Sequence, residues 1–137
     1  MNAAAIDSSV LITIFKGEAD KLLWLDLLIR LQNQGVKLIV CSVVWAEIAS
    51  LYSNEAALIL DLNDLGITFD PLQPPASFLA GQIFSHYRRL GGPRKRLIPD
   101  FLIGAHALKQ SIGILASDSG YLRAHFQGLL VIEPDKA

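Results

Sequence analysis

Four acidic residues interrupt otherwise apolar stretches of the sequence, each near the expected carboxyl end of a buried strand or the start of a helix. They are Asp7, Glu47, Asp100 and Asp118. Taken singly, each has an ordinary structural explanation, such as a helix cap, an Asx-turn or an exposed helix position. Taken together, crowded carboxylates repel one another unless a cation balances them. Oxygen ligands with retained water suit Mg²⁺ or Mn²⁺, and such a site activates water for attack on a phosphodiester.

The elements that must position these acids follow from hydrophobic periodicity and turn residues. Five short apolar runs predict strands, and the segments between them predict helices. The predicted strands are 3–6, 37–41, 67–69, 113–116 and 129–132. A first helix is predicted directly after strand 3–6, capped by the polar turn at Asp7, and the later helices are 20–34, 44–51, 54–65, 76–90, 99–110 and 120–126. Alternating strands and helices predict an α/β fold with a five-stranded, mostly parallel sheet covered by helices on both faces. Because ligands collect at the carboxyl ends of such strands, the four acids are expected at one edge.

Charge is strongly polarised along the chain although the net charge is −1. Residues 1–70 carry four basic and nine acidic residues, residues 71–99 carry five and none, and residues 100–137 carry three and four. The five basic residues of the middle segment are Arg88, Arg89, Arg94, Lys95 and Arg96. They predict a concentrated positive patch, which either contacts RNA phosphates or is a solvated surface loop.

Composition and missing motifs exclude several classes of protein. The 137 residues are 52% hydrophobic, yet no apolar span approaches the roughly 20 residues that cross a membrane. The start lacks a signal-peptide pattern and Cys41 is the only cysteine, which predicts a cytoplasmic protein of one domain, 1–137, without disulfides. No Walker or dinucleotide-binding motif is present. His86, His106 and His125 have no metal-ligand spacing, and we expect surface or packing roles for them.

Four segments in this order resemble the PIN-domain nucleases, particularly the VapC-type ribonuclease toxins of bacterial toxin–antitoxin pairs. The segments are Ile6–Ile12, Ser42–Ile48, Arg96–Ala107 and Ala116–Tyr121. The resemblance implies a three-layer α/β/α PIN-like fold that cleaves RNA endonucleolytically with Mg²⁺ or Mn²⁺. It also implies a cognate antitoxin and a homodimer, with the apolar helix 20–34 as a candidate surface, although core packing explains that helix equally well.

Carried over residue by residue, the resemblance makes Asp7, Glu47, Asp100 and Asp118 the catalytic and metal-binding acids, supported by the Ser9 hydroxyl. One position departs from the family pattern. The family often has a threonine two residues before the fourth acid, where this chain has Ala116. The nearest hydroxyl available to support Asp118 is therefore that of Ser117.

Two other functions remain open at this stage. The chain could be a PIN-like module that binds RNA or protein without catalysis. It could also be a phosphotransferase that uses Asp7 as a nucleophile and forms an aspartyl-phosphate. Against the second, Ser9 stands where the general acid of the haloacid dehalogenase pattern would be a second aspartate.

Overall fold

Strands and helices alternate over residues 2–117 and 121–135, the part of the chain that the structure, a computed structural model, describes. The elements follow one another in the order that the sequence predicts. In chain order they are β1 (Ala3–Ile6), α1 (Ser8–Lys16), α2 (Lys21–Asn33), β2 (Lys37–Val40), α3 (Ser42–Ala49), α4 (Glu55–Asp64), β3 (Ile67–Phe69), α5 (Pro74–Arg89), α6 (Pro99–Gln110), β4 (Ile114–Leu115), α7 (Tyr121–His125) and β5 (Val131–Ile132).

The strands form one parallel sheet in the order β3-β2-β1-β4-β5. From β1 the chain builds outward through β2 to β3, and it then returns to place β4 on the other side of β1. Strand order thus reverses beside β1, and parallel α/β sheets bind ligands at the carboxyl ends of the strands around such a reversal. The predicted α/β fold with a five-stranded parallel sheet is confirmed.

Helices cover both faces of the central strands. All residues of 4–6 in β1 and 38–40 in β2 are buried. Because successive side chains of a strand point to opposite faces, burial of neighbouring residues requires cover on both sides. Many of the apolar residues in the composition are therefore buried between the sheet and its helices. The largest fully buried side chains of this core are Phe101 and Phe126.

Short-range residue patterns set most helix starts at the carboxyl edge. Pro99 begins α6 as predicted, and Pro74 begins α5 two residues before the predicted start, because proline at the first helical position leaves no amide hydrogen unsatisfied. Helix α3 begins at Ser42 rather than Val44, since the backbone of Cys41 is already extended in the geometry of an N-cap. Helices α3 and α5 therefore each start two residues earlier, and so closer to the preceding strand, than the sequence pattern indicates.

Candidate active site

Asp7 links the central strand to the first helix. It directly follows β1 and caps α1 with an extended backbone, φ −74° and ψ 150°. Its Oδ2 accepts hydrogen bonds from the amide of Ser9, at 3.3 Å, and from the Ser9 hydroxyl. Ser9 therefore orients this half-buried carboxylate.

Glu47 projects from α3 toward the start of α1, because these two helices pack against each other. Its Oε1 accepts a hydrogen bond from the hydroxyl of Ser8, with an oxygen–oxygen distance of 3.0 Å. Sequence reasoning named Ser9 but missed Ser8, which lies 39 residues from Glu47. Only the packing of α1 on α3 brings the pair together, so no local pattern could have identified it.

Asp100 lies in the first turn of α6, directly after Pro99, and its side chain is exposed. It lies close enough to Glu47 to affect the pKa of that carboxyl. Partial burial raises the pKa of Glu47 above the ordinary 4.5, the hydrogen bond from Ser8 opposes the rise, and the negative charges of Asp7 and Asp100 add to it. Glu47 is thus close enough to Asp7 and to Asp100 for the negative charge of each to disfavour its ionised form.

The fourth predicted acid, Asp118, lies outside the described residues. Ser117, its predicted support, is exposed just beyond the end of β4. Ala116 is buried, and its amide donates to the carbonyl of Ile132 at 3.4 Å. The position where the family often has threonine is therefore occupied by a core alanine without a hydroxyl.

The carboxylates fit a hard divalent cation in ligand type and in charge. Their oxygens are the ligands that Mg²⁺ and Mn²⁺ prefer, and a cation would balance the charges of Asp7 and Asp100 that act on Glu47. Within residues 2–117 and 121–135, no three His, Cys, Asp or Glu side chains are grouped closely enough to enclose a metal ion.

The predicted basic patch lies on the segment that leads to Asp100, and it is partly held by its own hydrogen bonds. Nη1 of Arg88 donates to the carbonyl oxygens of Gly92, at 2.9 Å, and Arg94, at 3.1 Å. The amide of Arg94 donates to the hydroxyl of Tyr87 at 3.2 Å. A side chain at Gly92 would collide with the Tyr87 ring, which lies 2.4 Å from the position of an added Cβ. Arg88 therefore shapes the loop.

The other four basic side chains of the patch are exposed, and in the described part of the chain they make no hydrogen bond or ion pair. They are Arg89, Arg94, Lys95 and Arg96. Arg96 precedes Asp100 by four residues along the chain. These four are the residues of the predicted patch that are available to phosphates.

The histidines occupy positions that agree with surface and packing roles. His86 is exposed on α5, and His125 packs edge-on against Phe101 with ring centroids 5.1 Å apart. His106 is buried on α6, with Nε2 2.9 Å from Oδ2 of Asp70, directly after β3. The amide of Gln110 donates to the same carboxylate oxygen, so this cluster ties the end of β3 to α6.

No helix in the described ranges is long and apolar enough to cross a membrane. The profile of the PIN domain family matches residues 4–127 of the sequence. No curated protein sequence matches the chain significantly.

Several solved structures share this fold at low sequence identity. A chain of the Rickettsia felis VapBC2 structure, bound to a DNA fragment from their promoter, aligns with 97% of this chain and 99% of its own, at 16% identity and a TM-score of 0.69. DNA-bound VapBC from Salmonella typhimurium aligns over 97% and 98% at 15% identity and a TM-score of 0.68. FitAcB from Neisseria gonorrhoeae aligns over 94% and 96% at 20% identity and a TM-score of 0.63.

Proposed function

Because the chain belongs to the PIN domain family, we propose that it is a metal-dependent endoribonuclease and the toxin of a toxin–antitoxin pair. The observation that carries the proposal is the electrostatic coupling of Glu47 to Asp7 and Asp100 at the carboxyl edge of the sheet. Asp7 follows the end of β1, Asp100 lies in the first turn of α6, and Glu47 lies in the second turn of α3. A fold that needed them only for stability would have no reason to hold like charges together.

Asp7, Glu47 and Asp100 would hold the Mg²⁺ or Mn²⁺, together with Asp118 from the sequence pattern. A bound cation supplies an acidified water and positive charge for the phosphate oxygens. The chain itself supplies orientation. Ser9 fixes the carboxylate of Asp7 and Ser8 that of Glu47, so the acids keep one geometry before substrate arrives. The Ser117 hydroxyl would support Asp118.

The basic segment would bind the RNA backbone next to this site. Arg89, Arg94, Lys95 and Arg96 are exposed, and cations of this kind contact phosphates without reading sequence. Arg88 contributes by holding the loop that carries three of them. The positive charge also offsets the repulsion between RNA and the acidic edge of the sheet.

An antitoxin is the proposed protein partner, since the structural neighbours carry the names of toxin–antitoxin complexes. Helix α2 offers an apolar surface for it or for a second copy of the chain. Leu22 and Ile29 on this helix are 77% and 56% exposed. An exposed apolar stripe of this kind is typical of an interaction surface. We place the protein in the cytoplasm, where RNA and antitoxin are available.

An RNA cleavage assay tests the proposal. Cleavage of a mixed RNA is expected with Mg²⁺ or Mn²⁺ and is expected to stop with EDTA. Asp100→Asn should abolish cleavage while the protein stays folded, because asparagine preserves shape but removes the ligand charge. Asp26→Asn, which loses only an exposed pair with Arg30 on α2, is the matched control and should cleave normally. Metal-independent cleavage, or full activity of Asp100→Asn, would contradict the proposal.

A further inference from the structure

An open cavity lined by aromatic rings lies at the same edge of the sheet as the carboxylates. Trp45 of α3 and Phe69, the last residue of β3, meet edge to face with ring centroids 5.2 Å apart and an angle of 74°. Together with Ser42 and Glu55 they line a cavity of about 320 Å³. Phe69 is 44% exposed, although a phenylalanine at a strand end would ordinarily be covered. A volume of this size is within the range of small-ligand sites.

The register of the sheet sets the distance from this cavity to the carboxylates. Val40 of β2 pairs with Phe69 of β3, and Ala5 of β1 pairs with Ile39 of β2. Phe69 is therefore level with the end of β1, two strands away from Asp7. Two strand spacings are about 10 Å, which corresponds to roughly three stacked nucleotides. An RNA strand whose backbone crosses the carboxylates can thus reach the cavity with a nearby base.

The chemistry of the lining fits a nucleobase rather than a phosphate. Among the described residues that line the cavity none is basic, and Glu55 places a carboxylate at it that would repel a phosphate. The rings of Trp45 and Phe69 provide faces for stacking, which is how proteins bind unpaired bases. A carboxylate accepts hydrogen bonds from the amino groups of bases. Cytosine, adenine and guanine carry such an amino group, whereas uracil does not.

We propose that the Trp45–Phe69 cavity is a nucleobase subsite that prefers bases bearing an exocyclic amino group. The base stacks on the rings, and Glu55 accepts from its amino group. The subsite rests on the proposed ribonuclease function for its biological role. It differs from the phosphate contacts of the basic segment because it gives the enzyme a way to choose among sequences.

Binding is tested without cleavage by titrating the metal-free protein in EDTA with five-residue oligoribonucleotides and following tryptophan fluorescence. Trp24 is buried in α2, so a change on binding reports on Trp45. Oligocytidylate should quench the fluorescence and bind about fivefold or more tightly than oligouridylate. Phe69→Ala should weaken binding of oligocytidylate by about five- to hundredfold. Glu55→Ala, which removes the acceptor, should abolish the difference between the two oligonucleotides.

Matched controls are Phe78→Ala, an exposed phenylalanine on α5, and Glu18→Ala, an exposed acid before α2; neither lines the cavity. Both should behave as the unaltered chain. Equal affinity for the two oligonucleotides, or unchanged binding by both Phe69→Ala and Glu55→Ala, overturns the subsite.

Cleavage separates the subsite from the proposed function. With Mn²⁺ and a mixed RNA, the unaltered chain should cut at a constant offset from an amino-bearing base, and Glu55→Ala should lose that preference while still cutting. Cutting with the same preference in Glu55→Ala overturns the subsite and leaves the ribonuclease proposal intact. Selective quenching without any cutting supports the subsite and contradicts the ribonuclease proposal.

Discussion

The carboxylates and the basic segment 88–96 are carried by different kinds of backbone. Asp7 directly follows a strand whose last three residues are buried, and both it and Glu47 are held by serine hydroxyls. The cations Arg94, Lys95 and Arg96 lie instead on an exposed loop between two helices. Two side chains hold the backbone of this loop. The Arg88 guanidinium donates to the carbonyl of Gly92, and the Tyr87 hydroxyl accepts from the amide of Arg94.

The difference matches what each region is proposed to do. Positioning a cation and a water requires ligands held within a fraction of an ångström, so the acids are built on rigid strand ends and helix starts. Contacting a phosphate backbone requires charge at the surface and tolerates a range of side-chain geometries. The acids are therefore held rigidly, whereas the cations lie on a surface loop whose side chains can adapt to the substrate. Four experiments test this difference.

The largest effect is expected at Asp7. Asp7→Asn should lower RNA cleavage by about three orders of magnitude, because the variant loses several kcal/mol of charge stabilisation. The melting temperature should change little, since asparagine also accepts from the Ser9 amide as an N-cap. Cleavage rates and thermal unfolding measure the two effects. Asp64→Asn, an exposed acid at the end of α4, is the control, and a normal rate for Asp7→Asn would remove it from the site.

The next effect is on RNA affinity. Replacing Arg94, Lys95 and Arg96 together with alanine should weaken binding of single-stranded RNA at least about tenfold at low salt. The slope of log affinity against log salt should fall by about 2, since each phosphate contact contributes roughly 0.7. Fluorescence anisotropy with metal-free protein measures both quantities.

The control for this triple replacement is Lys37→Ala with Lys109→Ala. Lys37 begins β2 and Lys109 lies in the last turn of α6, so neither belongs to the basic segment 88–96. The control should leave the slope unchanged. If the slope of log affinity against log salt falls equally in the triple variant and in the control, the net charge of the protein, and not the basic segment, attracts RNA.

A smaller effect is expected on stability at Glu47. A carboxyl whose pKa is raised in the folded protein stabilises the fold while protonated, and this stabilisation is lost as the pH rises through the raised pKa. Metal-free wild-type protein should therefore lose stability relative to Glu47→Gln as the pH rises above the ordinary value of 4.5. At pH 7 the variant should melt a few degrees higher, and at pH 4 the difference should vanish.

Adding Mn²⁺ should reverse the order at pH 7, because the wild-type carboxylate binds the cation and the amide does not. Glu18→Gln, exposed between α1 and α2, is the control and should follow the wild type throughout. A variant that melts like the wild type at every pH in EDTA would show that the three acids do not repel one another.

The smallest effect is expected at Arg88. Arg88→Lys keeps the charge but loses the planar fork that donates to two carbonyl oxygens. The backbone amide of Arg94 should exchange about fivefold faster, as for the loss of roughly 1 kcal/mol of hydrogen bonding. The salt dependence of RNA binding should stay the same. Arg89→Lys should change neither quantity, and equal exchange in both variants would show that Arg88 does not shape the loop.

Local patterns sufficed for the parts of the site that depend on neighbours in sequence. Asp7 after a buried strand and Pro99 before Asp100 are short-range features, because a helix start is determined within a few residues. The strand order could not be read in this way. Strand β1 pairs with β4, for example at Ala5 and Ile114. This pairing depends on which face of the sheet each connecting helix covers, and no short segment determines that.

The bond between Ser8 and Glu47 and the contact between Trp45 and Phe69 also escaped prediction. The first joins residues 39 apart, and the second joins a helix to the strand two elements further along the chain. The apolar stretch around Trp45 gives no sign of the open cavity beside this residue. Arg88 was grouped with its neighbours because charge alone does not reveal which guanidinium bonds to the backbone.

By itself, the sequence determined the α/β class, the acids that stand at strand ends and helix starts, and the separation of negative from positive charge, because periodicity, caps and charge are local properties. Tertiary structure decided which serine supports which acid, which arginine holds the loop, and that an aromatic cavity opens near the carboxylates. Those features depend on how helices pack across the sheet, and packing is a property of the whole core rather than of any one segment.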